Sequence, residues 1–347
     1  MADKSDIKSL THEELQACIQ ELRQPMFRVK QIEQWLFKQN VESFSEMTNL
    51  SKNLREELAT LFSICSPKVL LKQISEDGTR KYLLEFDDGI SVETVGIPSS
   101  DGERLTVCFS TQAGCAMGCI FCATGGSGFL RNLSCGEILS QVQVVAKDFN
   151  KRVSNVVAMG QGEPFANYTE LMKALHWMNS KSGFEIGARH ITVSSCGLID
   201  GINKFKNISE QYTLAISLHS AVQRTRDIIM PKLKTQTLPE LKLALKDYGE
   251  FTKRRPSLEY LLIKDINDDE EHLDALIEFC HGMLSHVNLI PLNPVDSADR
   301  KHKLLPSLNL KYFEESLQKE HIEVSIRNSK GADIDGACGQ LKQRALS

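Results

Sequence analysis

The hydrophobic residues in the first third of the chain follow two different periods. Across residues 11–66 they recur at spacings of three and four, which predicts amphipathic helices. Thr11 and Glu14 have the spacing of a capping box, so we expect the first of these helices to begin there. Residues 67–98 instead alternate apolar and polar positions around SEDG and DDG turns, which predicts a short antiparallel meander.

From about residue 104 onward, short apolar runs alternate with segments long enough to form helices. The runs are RLTVCFS, VSNVVAMG, HITVSSCG, YTLAISLHS, SLEYLLIK, HVNLIPLN and IEVSIRN. One of the longer segments, SCGEILSQVQVVAKDF, begins with a second capping box formed by Ser134 and Glu137. Repeated strand–helix alternation predicts a parallel sheet covered by helices. We therefore assign the chain to the α/β class and favour a full or partial parallel TIM-like barrel over a doubly wound sheet.

These patterns predict three segments: a helical N-terminal domain over residues 1–66, a small β extension over 67–98, and the barrel over 99–347. Nearly every predicted barrel strand ends in small or polar residues, such as GQGEP, SSCG and SLHS. A parallel barrel builds its site from the loops at the carboxyl ends of its strands. We therefore expect these endings to surround one cavity.

Composition narrows the class of protein further. The chain has 347 residues, a net charge of −4 and ten cysteines. It contains no apolar run of membrane-spanning length, and its N-terminus lacks the apolar region of a secretory signal, so we expect a cytoplasmic protein with no membrane partner. In a reducing cytosol, clustered cysteines indicate metal binding or catalysis. The slightly acidic balance predicts weak nonspecific affinity for nucleic acid.

Three cysteines in STQAGCAMGCIFCATG carry the clearest chemical signal. Cys115, Cys119 and Cys122 follow the spacing C-x3-C-x2-C. Three thiolates on one loop can bind three irons of a cubane cluster and leave the fourth iron open to another ligand. The alternative is a structural zinc site with Cys135 as a fourth ligand, although zinc sites favour two paired C-x2-C units.

This spacing resembles that of the radical S-adenosylmethionine (radical SAM) superfamily, whose fold is a full or partial α/β barrel. Within that superfamily, the chain is similar to the RlmN/Cfr family, enzymes that methylate an adenine of large-subunit ribosomal RNA. The similarity runs through FRVKQIEQWLF, FSEMTNLSKNLREEL, ISVETVGIP, VCFSTQAGCAMGCIFCATG, GQGEP, ISLHS, INDDEEH, NLIPLNP and GADIDGACGQL. The resemblance implies two cofactors, a 4Fe–4S cluster and SAM, with Cys115, Cys119 and Cys122 as the cluster ligands.

The resemblance also implies which residues contact SAM. The matching positions are Gly162, Glu163, Ser194, Ser217, Leu218, His219 and Asn293. Polar residues at the ends of successive strands are what a site at the mouth of a barrel predicts. Each position alone is a weak signal, since a histidine after a buried strand often only forms a hydrogen bond in the core.

Two further cysteines and one carboxylate match the residues that transfer the methyl group in this family. The resemblance implies that one SAM methylates Cys338, and that a radical formed from a second SAM removes a hydrogen from this methyl group, so that the resulting methylene adds to adenine. Cys108 then attacks the Cys338 sulfur, which leaves a transient disulfide for a reductant. Glu93 matches the general base that takes a proton from the ring carbon. By residue type alone, Cys108 is a small buried hydrophobe and Glu93 a solvated carboxylate.

The remaining cysteines have no such match, and we expect them to pack in the core or lie on the surface: Cys18, Cys65, Cys135, Cys196 and Cys280. Three positions depart from the family pattern. Gln161 stands where methionine is common, Cys196 where threonine or serine is usual, and Gly336 interrupts the usual double alanine. These departures concern the shape of the cofactor pocket and the choice of RNA.

We expect RNA to be bound by the helical domain and by the basic runs at 253–255 and 300–303, although most short basic runs are solvated. The predicted reaction is methylation of adenine carbon 2 in 23S ribosomal RNA, with transfer RNA as a further substrate in some family members. A cytosolic electron donor and a disulfide reductant are the other implied partners. Three alternatives stay open: methylation at carbon 8 as in Cfr, a radical enzyme acting on a small molecule or peptide, and a zinc-stabilised RNA-binding module.

Overall fold

The computed structural model describes residues 4–293 and 304–341. The helices are α1 (His12–Glu21), α2 (Phe27–Glu33), α3 (Lys52–Leu61), α4 (Cys135–Phe149), α5 (Tyr168–Asn179), α6 (Ile199–Lys206), α7 (Gln223–Ile229), α8 (Leu238–Thr252), α9 (Glu270–Cys280) and α10 (Leu310–Lys319). The strands are β1 (Ser5–Asp6), β2 (Phe62–Ser63), β3 (Lys68–Ile74), β4 (Arg80–Glu85), β5 (Ser91–Pro98), β6 (Leu105–Cys108), β7 (Gln112–Gly114), β8 (Phe129–Asn132), β9 (Asn155–Ala158), β10 (Ile191–Ser195), β11 (Thr213–Ser217), β12 (Ser257–Leu262), β13 (His286–Pro291) and β14 (Val324–Ile326). Among these helices, none has the length and apolar character needed to cross a membrane.

The N-terminal residues fold into a small helical unit closed by a two-stranded parallel sheet. The predicted capping box is confirmed, because the Thr11 hydroxyl accepts a hydrogen bond from the Glu14 N–H at 3.1 Å and the Glu14 carboxylate accepts one from the Thr11 N–H at 2.7 Å. β1 and β2 hold the two ends of the unit together, since Ser5 pairs with Phe62. The apolar face of α3 points inward and buries Leu54 completely.

A ten-stranded sheet lies at the centre of the part of the chain that the structure describes, in the order β14-β13-β12-β11-β10-β9-β6-β5-β4-β3. From β6 to β14 in this order, every neighbouring pair is parallel. β3, β4 and β5 form an antiparallel meander that is attached to β6. The predicted α/β class and the predicted meander are both confirmed, and the meander extends the same sheet.

The sheet is curved into a partial barrel. Within residues 4–293 and 304–341 no pairing joins β3 to β14, so the barrel is open on one side. Arg327, directly after β14, nevertheless donates a hydrogen bond to the sulfur of Met159, directly after β9, at 3.5 Å. These two strands are five positions apart in the sheet, and a flat sheet would separate them by about 24 Å. The contact therefore requires the sheet to curve.

The N-terminal unit packs on α4 and α5, two of the helices that cover the barrel. Lys8 is buried at this contact, where its ammonium donates to the Cys65 carbonyl at 2.7 Å and to the Gln143 side chain at 2.7 Å. The Trp177 indole in α5 donates to the Leu10 carbonyl at 2.9 Å. One apolar core runs through both parts of the chain.

Several short elements were not predicted from the sequence, namely the β7–β8 hairpin, the β1–β2 pair and the helices α6, α7 and α10. The division into residues 1–66, 67–98 and 99–347 stays a prediction. In the structure, residues 67–98 contribute three strands to the sheet of the barrel, while the N-terminal unit has its own small sheet.

The segment after β14 runs across the open side of the barrel. The Gly331 N–H donates to the Asp77 carboxylate at 3.1 Å, and the Ser75 hydroxyl donates to the Asp333 carboxylate at 2.6 Å. Ser75 and Asp77 both belong to the turn between β3 and β4. This C-terminal segment thus connects the two edges that strand pairing leaves open, and it carries Cys338.

Candidate active site

One cavity lies at the carboxyl ends of the parallel strands, where the strand endings predict it. Most of the predicted site residues line it: Cys115, Cys119, Cys122, Gly162, Glu163, Ser194, Ser217, His219, Asn293 and Cys338. The other three predicted residues, Glu93, Cys108 and Leu218, lie outside this lining.

The cysteine loop is enclosed by the β7–β8 hairpin. The Cys115 N–H donates to the Gly128 carbonyl at 2.8 Å and so closes the loop at its base. Gly114 has a φ of +72°, and a Cβ there would lie 2.0 Å from the Gly128 carbonyl oxygen. Only glycine allows the two strands to approach so closely. The three thiols of the loop border one cavity, which fits a cluster with three protein ligands and one exchangeable position.

Two thiols of the loop, those of Cys115 and Cys119, lie in surroundings that disfavour the thiolate. Burial raises the pKa of Cys115 to about 11. Burial, together with the neighbouring thiols of Cys122 and Cys115, raises the pKa of Cys119 well above its ordinary value. Thiols lose their protons when they ligate a metal, so loading a metal centre here releases protons and is favoured as pH rises.

Cys135 lies apart from this loop. It is the first residue of α4 and is buried against the N-terminal unit, where its thiol donates to the Lys8 carbonyl at 3.6 Å. Cys135 is absent from the cavity lining, so it does not supply the fourth ligand that the zinc alternative assigned to it. Across the residues that the structure covers, no three His, Cys, Asp or Glu side chains converge closely enough to hold a single metal ion.

The GQGEP segment turns sharply into the cavity after β9. Gly162 has a φ of +100°, and a Cβ there would lie 2.6 Å from the Cβ of Gln112. The next residue, Glu163, is buried, and its carboxylate accepts hydrogen bonds from the N–H groups of Phe165 at 2.9 Å and Cys196 at 2.7 Å. Burial raises the pKa of Glu163, and these two N–H groups oppose the rise. The carboxylate is therefore held rigidly in the wall of the cavity.

His219 contributes a neutral imidazole to the same cavity. Its Nδ1 accepts a hydrogen bond from the Leu261 N–H at 3.1 Å, and burial lowers its pKa to about 3, with the charge of Arg226 acting in the same direction. The ring therefore carries its proton on Nε2. Leu218 packs its side chain into the core, and its carbonyl accepts a hydrogen bond from Arg226 at 3.3 Å. Leu218 thus supports the cavity wall from behind.

Three more polar side chains come from the ends of other strands. Ser194 is near the end of β10, Ser217 is the last residue of β11, and Asn293 follows β13 by two residues. The Asn293 amide donates to the Cys338 carbonyl at 3.4 Å. Asn293 therefore contacts the C-terminal segment as well as the cavity.

Cys338 is held beside the cysteine loop by hydrogen bonds to the backbone around it. The Ala123 N–H donates to the Gly339 carbonyl at 2.7 Å, and the Thr124 hydroxyl donates to the Leu341 carbonyl at 2.7 Å. Ala123 and Thr124 directly follow the third cysteine of the loop. Cys338 itself is exposed and borders the cavity, so its thiol is accessible from there.

Cys108 lies at the end of β6 and packs against Val95 and Leu341. Burial raises its pKa to about 12, the Cys338 thiol adds to the rise, and the Arg327 guanidinium opposes it. The two thiols are therefore close enough to influence each other electrostatically. Both are free cysteines.

Glu93 is a buried residue of β5, which corrects the alternative that it is a solvated carboxylate. One of its carboxylate oxygens lies 3.3 Å from the Lys81 ammonium on β4. The two side chains are 7% and 8% exposed, respectively. Glu93 is thus part of a buried ion pair on the strand next to β6.

Three residues without a predicted site role line the cavity. In the sequence, Cys196 stands out only as a departure from the family pattern, and the other two are not singled out. Glu259 in β12 lies 3.8 Å from the Arg327 guanidinium and accepts a hydrogen bond from Asn288 at 2.8 Å. Cys196, expected to be a packing or surface residue, is buried but also borders the cavity, and its sulfur lies 3.5 Å from that of Met117. Charged residues inside or at the end of apolar runs, as in SLEYLLIK and IEVSIRN, were the available signal for the first two.

The basic run at 253–255 lies far from this cavity. It precedes the first residue of β12, so it is at the amino end of the strands, opposite the cavity. Arg254 donates to the Tyr212 carbonyl at 2.6 Å, and Arg255 pairs with Glu323. The run therefore lies away from the cavity, and its contact with RNA stays a prediction. The second run, 300–303, lies outside the described residues.

Two family models match the chain. Residues 5–64 match the N-terminal domain of large-subunit ribosomal RNA methyltransferases, and residues 109–277 match the radical SAM superfamily. Enzymes of this superfamily use a 4Fe–4S cluster and SAM.

Individual relatives agree with both matches over nearly the whole chain. A protein of Geobacillus kaustophilus (strain HTA426), named probable dual-specificity RNA methyltransferase RlmN, is 45% identical over 341 residues, which are 97% of this chain and 92% of the relative. A protein of the same name from Clostridium novyi (strain NT) is 41% identical over 342 residues, which are 98% of each chain. The crystal structure of a radical SAM methyltransferase from Sphaerobacter thermophilus superposes with a TM-score of 0.90 at 37% identity, over 97% of this chain and 99% of that one. The chain therefore belongs to the RlmN family of radical SAM RNA methyltransferases.

Proposed function

We propose that the chain methylates carbon 2 of adenine in 23S ribosomal RNA and that transfer RNA is a second substrate. The observation that carries the proposal is the position of Cys338: its segment is hydrogen-bonded to the end of the three-cysteine loop, and its thiol influences the pKa of Cys108. The N-terminal family model describes large-subunit ribosomal RNA methyltransferases, which supports the first substrate. The relatives' description as dual-specificity RNA methyltransferases supports a second RNA class.

The cluster is proposed to be held by the thiolates of Cys115, Cys119 and Cys122. When bound, the cluster and SAM supply a methyl group and the one-electron chemistry that activates it. The residues proposed to contact SAM are Gly162, Glu163, Ser194, Ser217, Leu218, His219 and Asn293. Among them, Glu163 offers a fixed carboxylate for an ammonium group, and His219 offers an N–H donor. The Leu218 side chain lies behind the cavity wall, so Leu218 would shape the SAM site through its backbone and through its packing in the core.

Cys338 is proposed to carry the methyl group as a thioether before transfer. Carbon 2 of adenine is an electron-poor amidine carbon, so it does not attack a sulfonium methyl group by a polar route. A carrier that adds to the ring as an activated methylene avoids this difficulty. The exposed position of Cys338 beside the cysteine loop supports this role, since the same side chain must reach both the loop and the RNA base.

Glu93 and Cys108 are proposed to complete the transfer from the covalent protein–RNA intermediate. Glu93 takes the proton from the ring carbon, and the unpaired electron left by the radical addition leaves to the one-electron acceptor that the bound cluster would supply. The Cys108 thiolate attacks the Cys338 sulfur, which breaks the carbon–sulfur bond, and the released methylene carbon takes up a proton to become the methyl group. The resulting Cys108–Cys338 disulfide must be reduced by a cytosolic dithiol before the next turnover. A cytosolic electron donor is the other proposed partner, and a cytoplasmic location follows from the proposed RNA substrates.

The test is nucleoside mass spectrometry of 23S ribosomal RNA after incubation with the anaerobically reconstituted enzyme, SAM and a reductant. We expect 2-methyladenosine from the wild type, none from Cys338→Ala, and wild-type amounts from Cys18→Ala, a cysteine of α1 remote from the cavity. Formation of 8-methyladenosine would support the Cfr-like alternative. Turnover of SAM on a small molecule without any methylation of RNA would overturn the proposal.

A further inference from the structure

Lys81 makes two contacts, one with Glu93 and one with the segment that carries Cys338. Lys81 pairs with Val95 in the register of β4 and β5, so it is diagonal to Glu93, two residues away on β5. Residues in this relation project from the same face of a sheet and interact. The Lys81 ammonium accordingly lies 3.3 Å from a carboxylate oxygen of Glu93.

The second contact joins Lys81 to the segment that carries Cys338. Its ammonium donates a hydrogen bond to the Asp335 carbonyl at 3.2 Å, three residues before Cys338. This segment is fixed further along by the hydrogen bonds of Gly339 and Leu341 to the cysteine loop. One buried ammonium group therefore touches both the proposed base and the proposed methyl carrier's segment.

We propose that Lys81 is a positioning residue for proton removal. It keeps Glu93 ionised and oriented, and its hydrogen bond to Asp335 keeps Glu93 aligned with the segment that carries Cys338. This inference rests on the proposed function, in which Glu93 is the base. In that step the bond between the ring carbon and its hydrogen breaks, the proton moves to a Glu93 oxygen and the bonding electron pair stays with the purine. The unpaired electron from the radical addition leaves to the one-electron acceptor that the bound cluster would supply. Lys81 is not consumed and needs no further reactant.

The physical reason is the cost of a buried charge. A carboxylate removed from water retains its charge only where a cation or several hydrogen bonds stabilise it. Removing the Lys81 ammonium, which lies 3.3 Å from a Glu93 oxygen, makes the ionised form of this base less favourable. The rate of proton removal is proportional to the fraction of the base that is ionised, so a smaller ionised fraction gives a slower reaction.

Other ionisable groups lie on the elements around this pair. Cys108 on β6 is next to β5, and its register partner is Val95. Asp333, Asp335 and Cys338 lie on the C-terminal segment, and Asp77 lies in the turn that precedes β4. The opposite face of β4 carries Arg80 and Tyr82, which contact Asp148 of α4. A variant of Lys81 leaves all of these in place.

The test compares Lys81→Met, which keeps the apolar stem, with Lys81→Arg, which keeps the charge. Lys72→Met is the matched control, because Lys72 on the adjacent β3 pairs with Asp148 rather than with Glu93. For each reconstituted enzyme, mass spectrometry measures methylation of Cys338, and the rate of adenosine methylation is followed against pH.

We expect Lys81→Met to methylate Cys338 normally but to methylate adenosine about tenfold more slowly at neutral pH, with the rise in rate displaced to higher pH by about one unit. Lys81→Arg should restore most of the rate, and Lys72→Met should match the wild type. A uniform loss of rate with an unchanged pH profile, or a loss of Cys338 methylation, would overturn the inference and leave Lys81 a structural anchor.

A double variant keeps the inference testable if Lys81→Met is poorly folded. Glu93→Gln should already lack the proton-accepting step, so adding Lys81→Met to it should reduce adenosine methylation no further. Additive losses would contradict the coupling between the two residues. A Glu93→Gln enzyme with full activity, or a wild type that makes no methyladenosine, would instead refute the proposed function itself.

Discussion

Cys108 and Glu93 each face a cation that comes from a different strand. Arg327 follows β14 and acts on Cys108 in β6, while Lys81 in β4 lies against Glu93 in β5. The family motifs in the sequence identified the thiol and the carboxylate but neither of the two cations. The reason is physical: these contacts are set by strand register and by the curvature of the sheet, and neither is visible in a local pattern of residues.

The rate at which the Cys108 thiol is alkylated tests whether its buried surroundings raise its pKa. Because burial raises that pKa to about 12, the thiolate fraction should rise about tenfold for each pH unit below that value. Mass spectrometry of iodoacetamide-treated protein should show Cys108 reacting about tenfold faster at pH 9 than at pH 8. The exposed Cys338 should react faster than Cys108 at both values.

Arg327→Gln should slow the alkylation of Cys108 several-fold at either pH, because the guanidinium opposes the rise in pKa. Arg255→Gln is the control, since Arg255 pairs with Glu323 at the far end of the strands. Equal alkylation of Cys108 in the wild type and in Arg327→Gln would contradict the assigned electrostatic role.

Helices and strands with a strong period were predictable from the sequence, whereas short elements were not. The capping box of Ser134 and Glu137 begins α4 as predicted, and all seven predicted barrel runs contain a strand. The β7–β8 hairpin escaped prediction because its strands have three and four residues, with a register shift between Ala113 and Gly114. The hairpin depends on the close approach of the backbone at Gly114 to the backbone at Gly128. The spacing of apolar residues along the chain does not reveal an approach of this kind.

A substitution at Gly114 tests whether the β7–β8 hairpin determines the shape of the cysteine loop. Gly114→Ala should distort the loop, because the new Cβ would meet the Gly128 carbonyl in a backbone conformation that alanine rarely adopts. We expect less iron per protein after anaerobic reconstitution and a lower denaturation temperature. Gly126→Ala is the control, because no heavy atom lies within 4 Å of a Cβ there, and it should bind iron normally. Full iron loading of Gly114→Ala would show that the hairpin does not define the loop.

The molecule as a whole combines an open barrel with two segments that cover it. The C-terminal segment connects the edges β14 and β3–β4, and the N-terminal unit packs on α4 and α5. Parallel strands and a helical N-terminal unit were predictable from apolar periods. The open edge and the position of the basic run at 253–255 were not, because both depend on the order of strands in the sheet.

Lys8 tests how strongly the N-terminal unit is joined to the barrel. Lys8→Met removes a donor to the Gln143 side chain, which stays buried, and one of the two donors to the Cys65 carbonyl, which still accepts from Ser140. We expect the free energy of unfolding to fall by about 2 kcal/mol, as measured by urea denaturation. Lys52→Met on the exposed surface of α3 should change it little, because its side chain is 80% exposed. An unchanged midpoint for Lys8→Met would mean that this contact contributes nothing to stability.

Transfer of the methyl group through Cys338 is tested most directly by mass spectrometry of the Cys108→Ala enzyme after incubation with RNA, SAM and a reductant. Without Cys108, the bond between Cys338 and the methylene carbon cannot be broken by the proposed disulfide step. We expect RNA to stay covalently attached to the peptide that contains Cys338, with no free 2-methyladenosine. Continued production of methylated adenosine by Cys108→Ala, with no attached RNA recovered, would contradict the proposed route.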